Sequence, residues 1–296
     1  MSEPELSVVL ASSENVAAIE GAIAALERGC KGISTELILV RAGHGVPLQV
    51  AQAHFSSVTI EHQSPGTLIP VLWGAGLRRA TGRIVAFTSD QMQVGPSWGR
   101  SLMDAMEPGI AGVGGPIDLG PRSRAATAAA WFLRFSMFTP AVWPSASRAR
   151  DIPGDNAAYL REAVVRHEDL LREGFWEVEY HRRFERDGLG LQMVPAAVAT
   201  LVGPVRFRTM FAQRFRHGRE FGDSRVRRHG ESRAKLVLSA PFVPLILLAR
   251  IGRRVYSARG NRPRFLRALP GLSILAAAWA AGEAVGALRP IARHGD

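Results

Sequence analysis

The chain holds 296 residues, 47% of them hydrophobic and 21% charged, enough for one α/β domain with a sizeable core plus an appendage. Its formal charge of +11 is concentrated: only five of the 26 acidic residues follow Thr200, against 19 of the 37 basic ones, so the last third suits a phosphate-rich partner, either nucleic acid or an anionic membrane. The single Cys30 excludes an internal disulfide and fits a reducing compartment, and no signal peptide is expected because no basic segment followed by an apolar stretch opens the chain.

Glu5 to Leu10 reads as a first strand, and Ser12, Ser13, Glu14 and Asn15 crowd the turn after it. Ile19, Ala22, Ile23 and Leu26 keep helical spacing up to Gly29. Glu36 to Val40 is a second strand, Ser57 to Ile60 a poorer third, and Ile69 to Ala80 a helix broken at Gly82. Ile84 to Phe87 is a short apolar run of the kind that makes a buried strand, ending at Thr88-Ser89-Asp90. Strands alternating with helices imply a mostly parallel sheet with right-handed crossovers. Ligands bind beyond the carboxyl ends of such strands, so Asp90 is placed to face a phosphate or its metal, or else simply opens a turn closed by Gly95-Pro96. Neither a Gly-x-Gly-x-x-Gly opening a helix nor a Walker-type loop is present, which argues against a Rossmann oxidoreductase or a kinase-like enzyme.

Arg124 to Phe138 reads as an Ala-rich helix whose Trp131, Phe132, Phe135 and Phe138 form a core stripe or one wall of a cleft, and residues 139–154 read as a long loop. Asp155 and Asn156 precede an expected helix, which they cap unless they line a site. In Phe175 to Gly188, Glu177 and His181 share a helical face. A carboxylate beside Trp176 suits a general base, while the plainer alternative is a solvated helix of paired charges. From Phe207 to Arg228, arginines alternate with Phe207, Phe211, Phe215 and Phe221, which suits either nucleic acid or phosphate headgroups. The apolar runs that follow favour the membrane. Leu236 to Ala249 is uncharged but too short to span, and Ala268 to Leu288 carries only Glu283 and is long enough. The basic Arg250 to Arg267 between them belongs on the cytoplasmic side, so interfacial or re-entrant helices are expected, the alternative being a packed helix pair on a soluble domain.

Over roughly Leu6 to Arg228 the chain resembles inverting family 2 glycosyltransferases of GT-A fold. The resemblance runs through Gly76, Ala80-Thr81-Gly82, the Ile84 to Phe87 strand, Ser89-Asp90-Gln91, Pro96 and Trp98. It continues in Glu177, Glu179, Arg183, Phe184 and Gly188, and more loosely in Gln213-Arg214 and Arg219. A bacterial subgroup with a Glu-Asp-His acidic cluster, a Gly-Phe-Trp-Glu segment and a C-terminal Trp-x-x-Gly-Glu is the nearest, the last two being here Gly174 to Glu177 and Trp279 to Glu283. The chain departs from the family where an acidic pair usually ends the second strand (Arg41-Ala42), where an Arg-Asn usually precedes Gly76 (Trp73-Gly74), and where Asp-x-Asp usually stands (Ser89-Asp90-Gln91).

The resemblance implies an α/β GT-A domain over residues 1–204 and a basic, apolar, helical membrane-associating region over 205–296, held at the cytoplasmic face. It implies transfer of a sugar, with inversion, from a nucleotide-sugar donor to a lipid-linked or cell-envelope acceptor, and no nucleic-acid partner. Glu177 would be the catalytic base. Ser12, Glu14, Asp90, Gln213 and Arg219 would bind the nucleotide sugar, and Asp155, Asn156 and Trp176 would line the donor or acceptor pocket. Asp90 would touch a divalent cation, Mg²⁺ or Mn²⁺, although one carboxylate with Gln91 leaves most ligands to the diphosphate and water. The lost carboxylates leave open a non-catalytic relative acting as a binding or partner protein.

Overall fold

In the computed structural model, which describes residues 3–13, 16–43, 45, 51–202, 205–258 and 261–289, strand β1 (Leu6–Ser12) is buried at every position. Its apolar run, Val8 to Ala11, has nowhere else to go: a central parallel strand is covered on both faces. Helix α1 (Val16–Gly29), β2 (Thr35–Ala42), β3 (Ser57–Gln63), α2 (Ile69–Leu77) and β4 (Ile84–Ser89) follow, close to the spans the sequence predicts. After β4 come β5 (Met92–Val94), α3 (Trp98–Asp104), β6 (Ile110–Gly114) and β7 (Ile117–Leu119). Then come α4 (Ala125–Phe135), β8 (Ser147–Ala149), β9 (Ala157–Leu160), α5 (Arg161–Val165), α6 (Glu177–Arg186), β10 (Gly190–Met193) and β11 (Ala199–Leu201).

The chain divides into two compact units, residues 1–120 with 138–202, and residues 121–137 with 203–296. The first unit is built on an eight-stranded sheet of order β3-β2-β1-β4-β9-β6-β10-β8, with a three-stranded sheet β5-β11-β7 beside it. Strands β3, β2, β1 and β4 run parallel, while β9 lies antiparallel between β4 and β6. The chain moves outward from β1 through β2 to β3, then returns to β4 on the other side of β1. The strand order therefore reverses between β1 and β4, and that is where an open α/β sheet leaves a crevice at its carboxyl edge.

Two expectations fail. Residues 139–154, read as a loop, contain strand β8, which pairs antiparallel with β10. The helix expected after Asp155-Asn156 is instead a single 3₁₀ turn, Gly154–Asn156, running into strand β9. Ala157-Ala158-Tyr159-Leu160 is a short apolar run whose periodicity cannot separate strand from helix. Long-range pairing decides it, with Ala157 opposite both Phe87 and Gly114.

At the amino end of the same strands, Glu36 is buried and accepts from Ser7 Oγ at 2.5 Å, from Thr81 N at 2.7 Å and from Thr81 Oγ1 at 2.8 Å. Burial alone would raise its pKa, but these donors outweigh it and hold the carboxyl below its usual value. A folded-state pKa below the unfolded one stabilises above about pH 4.3 and is lost as pH falls through the folded value. Glu36→Gln is therefore expected to cost about 2 kcal/mol at pH 7, with the gap to wild type closing in acid, as read by urea unfolding at both pH values.

The second unit is helical: α4, then α7 (Phe207–His229), α8 (Arg233–Ser239), α9 (Val243–Ser257) and α10 (Arg262–Leu288). The aromatic stripe of α4 is core here, with Phe132 edge-on to Phe265 at 5.3 Å. Helix α7 ends at Gly230 in the left-handed conformation, φ 64°. Residues 233–257 and 262–288 are each long and apolar enough to cross a membrane.

Helices α7 and α10 meet along two Gly-x-x-x-Gly steps, Gly218 with Gly222 and Gly282 with Gly286. A Cβ at Gly218 or Gly222 would overlap the Trp279 or Glu283 carbonyl, and one at Gly282 or Gly286 would overlap the Phe215 or Arg219 carbonyl. Only the missing side chains let the backbones approach so closely. Glu283 is buried at this contact and pairs with Arg225, which also grips Glu231 at 2.6 Å. Gly222→Ala and Gly282→Ala drive a methyl into backbone rather than into a movable side chain. Each is expected to destabilise by about 2 kcal/mol or more, with the exposed Ala281→Ser as an unaffected control in thermal unfolding followed by circular dichroism.

Candidate functional site

Ser12 closes β1 and Asp90 follows β4, so both stand at the carboxyl edge on the two sides of the crevice. The Ser12 hydroxyl donates to Asp90 Oδ2 at 2.7 Å, and Asp90 N donates to Ala11 O at 3.0 Å. With 2% of its surface exposed, Asp90 belongs to the fold as well as to the crevice. The Ser89 hydroxyl turns the other way and donates to Asp155 Oδ1 at 3.1 Å. Glu14, predicted to join this edge, lies outside the described residues.

The turn Gly154–Asn156 is what brings the distant parts of the first unit here. A Cβ on Gly154 would sit 2.9 Å from Trp73 Cζ3, 3.0 Å from Glu177 Cδ and 3.2 Å from Glu177 Oε2. Gly154 thus holds open the space that the Glu177 carboxylate and the Trp73 ring share. Trp73 is itself fixed by its indole N–H, which donates to Thr88 O at 2.8 Å. Glu177 occupies the first position of α6, where the helix dipole favours a carboxylate. Asp90 and Glu177 therefore flank one three-residue turn, Asp90 through its neighbour Ser89 and Glu177 directly.

Beneath Glu177 lies a buried polar chain. Tyr159 OH and His181 Nε2 are 2.9 Å apart, and His181 Nδ1 is 3.1 Å from Asp151 Oδ1. A carboxylate only accepts, so the ring proton sits on Nδ1 toward Asp151 and Nε2 accepts from the Tyr159 hydroxyl. Burial lowers the His181 pKa despite Asp151, which keeps the ring neutral, and the hydrogen bond from His181 holds Asp151 below the usual carboxylate range. Tyr159 is pushed well above its ordinary value by burial, then by the charges of Glu177 and Asp151, so it stays protonated.

Other predicted residues sit differently. Asn156 is fully buried, donating to Pro116 O at 3.0 Å and Ala197 O at 2.8 Å and accepting from Trp98 Nε1 at 2.6 Å, so its amide locks the turn. Trp176 is half-buried, with its indole N–H on Glu173 O at 3.0 Å; the indole against Glu177 across Gly154 is that of Trp73. Gln213 and Arg219 lie on α7 in the second unit. There Arg214 stacks on Trp279 at 5.6 Å and places Nη2 2.9 Å from His217 Nδ1. Burial, with Arg214, Arg134 and Arg216 around it, keeps His217 well below its ordinary pKa and neutral. Sequence reading missed Trp73 and Asp151. Trp73 was visible only as a departure from the expected Arg-Asn, and Asp151 as a polar residue in a loop.

Among the described residues no three His, Cys, Asp or Glu side chains converge as a metal set. Asp90 offers one carboxylate, with one oxygen already accepting from Ser12, so the donor set does not by itself make a cation site.

No family model matches the chain, and no curated protein matches it in sequence. Its fold is similar to that of the mannosyltransferase PcManGT from Pyrobaculum calidifontis, solved with GDP-Man and Mn²⁺. The TM-score is 0.53 at 15% identity, over 95% of this chain and 87% of that one. At that identity the likeness concerns architecture, and the architecture is the GT-A fold: a mostly parallel central sheet flanked by helices, open at the carboxyl edge between β1 and β4.

Proposed function

We propose that this protein is an inverting glycosyltransferase of the family 2 type, nearest the bacterial subgroup named above. It moves a sugar from a nucleotide-sugar donor to a lipid-linked or cell-envelope acceptor at the cytoplasmic face of a membrane. The observation that carries this reading is the Glu177 carboxylate at the first turn of α6, held against Gly154 on the same turn that receives Ser89 beside Asp90. The similarity to a mannosyltransferase fold supports it, and so do two C-terminal helices long and apolar enough for a membrane.

In this reading the donor diphosphate lies over the carboxyl edge between β1 and β4, near Ser12 and Asp90, and the sugar extends toward Glu177. Glu177 takes the proton of an acceptor hydroxyl. The oxygen attacks the anomeric carbon from the face opposite the leaving group, and the carbon–oxygen bond to the nucleoside diphosphate breaks with its electron pair. A divalent cation would add charge neutralisation for the diphosphate, with Asp90 as its protein ligand. No step here depends on it. The Tyr159–His181–Asp151 chain steadies the floor under α6 without exchanging protons, since Tyr159 stays protonated and His181 neutral. The roles of Gln213 and Arg219 rest on the family resemblance alone.

Glu177→Gln is expected to lower transfer by at least about a hundredfold while donor affinity, measured by calorimetry with and without Mn²⁺, stays within a few fold. Failure to bind any sugar nucleotide in such a screen sinks the reading. Gly154→Ala should act through the Glu177 carboxylate and Trp73 and reduce kcat by about tenfold or more, with a loss of stability of about 1–3 kcal/mol, read at a temperature where the variant remains folded. The second reading, a non-catalytic binding relative, is favoured by the hydroxyls of Ser12 and Ser89 occupying Asp90 and Asp155. It predicts donor binding with no turnover that Glu177→Gln can abolish.

A further inference from the structure

Within the second unit, α9 turns one face inward and leaves the other bare. Ile251 and Val255 are buried, and a Cβ on Gly252 would sit 3.6 Å from the Phe265 ring of α10. The opposite face carries Leu245, Ile246, Ala249, Arg250, Arg253 and Tyr256, all exposed and all within one sector of the helix at 3.6 residues per turn. The stripe is not uniform. Its first half is apolar, continuing back through the 3₁₀ turn Ala240–Phe242 to α8, where Phe242 is 60%, Leu245 65% and Leu238 74% exposed. Its second half is basic. On the other side of the turn Arg233 and Lys235 are exposed too, and no acidic residue occurs from Arg233 to Gly282.

This arrangement has a preferred depth. Although residues 233–257 as a whole have the length of a span, their uncharged run from Leu236 to Ala249 is 14 residues, about 21 Å as helix against a hydrocarbon core of about 30 Å, which suits a helix lying in one leaflet. The 3₁₀ turn does not reverse the chain: residues 233–257 run as one helical stretch with right-handed backbone at Ser239, Ala240, Phe242 and Val243. Leu238, Phe242, Leu245 and Ile246 then fall in one sector of it, at 3.6 residues per turn. Lying along the interface, the stretch puts this apolar middle among acyl chains and lets the basic residues toward its two ends snorkel to phosphate level.

We infer that the helical stretch 233–257 is a wedge lying along one leaflet of an anionic bilayer, with Leu238, Phe242, Leu245 and Ile246 among the acyl chains and Lys235, Arg250 and Arg253 on lipid phosphates. The occupant is a lipid surface rather than a second copy of the chain, because a symmetric self-contact would bring two rows of arginines together with no carboxylate to meet them. Helix α10 takes no part as a span: its Glu283 faces α7 and Arg225. The inference rests on the membrane location in the function proposed above but not on its chemistry, since vesicle binding needs no donor.

The test is flotation of the full chain with phosphatidylcholine vesicles, with and without phosphatidylglycerol, in low and high salt. The expected result is flotation with the anionic vesicles only, reversed by salt. An Arg250→Gln/Arg253→Gln variant should lose about fivefold in partitioning per arginine. A Phe242→Glu/Leu245→Glu variant should lose flotation altogether while keeping wild-type far-UV circular dichroism and donor affinity. Wild-type flotation of the Phe242→Glu/Leu245→Glu variant overturns the wedge while leaving the membrane location intact. Equal binding to neutral vesicles, or no binding with self-association that the same variant abolishes, also overturns it. Loss of donor binding by the wild-type chain would instead count against the glycosyltransferase reading.

Discussion

Asn156 has no exposed surface, and each polar atom of its side chain has a partner within the first unit. Its amide holds two backbone carbonyls, and its own carbonyl holds the Trp98 indole. Removing that side chain would take this partner from Ala197 O and Trp98 Nε1, each at a cost of about 1–3 kcal/mol, while Pro116 O keeps the Ala199 N–H. The constraint matters because of what hangs on it. Asn156 ends the turn that begins at Gly154, so locking the amide sets where Gly154 lies against Trp73 and Glu177 and where Asp155 meets Ser89. It also fixes the start of β9, the antiparallel strand that separates β4 from β6. A residue that a sequence reading assigns to a pocket thus acts one layer below it.

The second unit depends on a different kind of constraint. Its closest contact is backbone on backbone, made possible by four glycines rather than by large side chains filling a gap. Because α7 is rich in arginine and α10 is apolar, the contact needs a way to bury charge, and Glu283 supplies it with Arg225. A buried pair of this kind contributes little net stability but makes loss of either partner costly. The Trp279 to Glu283 segment, which resembled a family motif, is therefore a packing element: Trp279 and Glu283 lend carbonyls to Gly218 and Gly222, and Gly282 receives Phe215.

Much of the first unit was legible because its strands announce themselves. β1 and β4 carry short apolar runs, Val8 to Ala11 and Ile84 to Phe87, and a run of that type flanked by helices has few alternatives to a buried parallel strand. Where two outcomes share one local signal, the sequence was silent. Ala157 to Leu160 read as the start of a helix because alternation is invisible in four apolar residues, and pairing with β4 and β6 made it a strand. Glu177 was legible by its spacing to Glu179, Arg183 and Gly188, yet the Trp73 indole that meets it across Gly154 comes from 104 positions earlier, beyond the reach of any local pattern.

The sequence alone determined the class of fold, the acidic residue after β4, the candidate base at the head of α6 and the basic, apolar character of the last third. Each of these is local, a matter of composition, period or spacing within a few turns of chain. Only the tertiary structure decided that Ser89, next to Asp90, and Glu177 meet one turn, that Asn156 locks that turn, and that Glu283 faces a helix. Those facts depend on which side chains meet across long separations, and no local pattern of residues encodes which partner a buried polar atom will find.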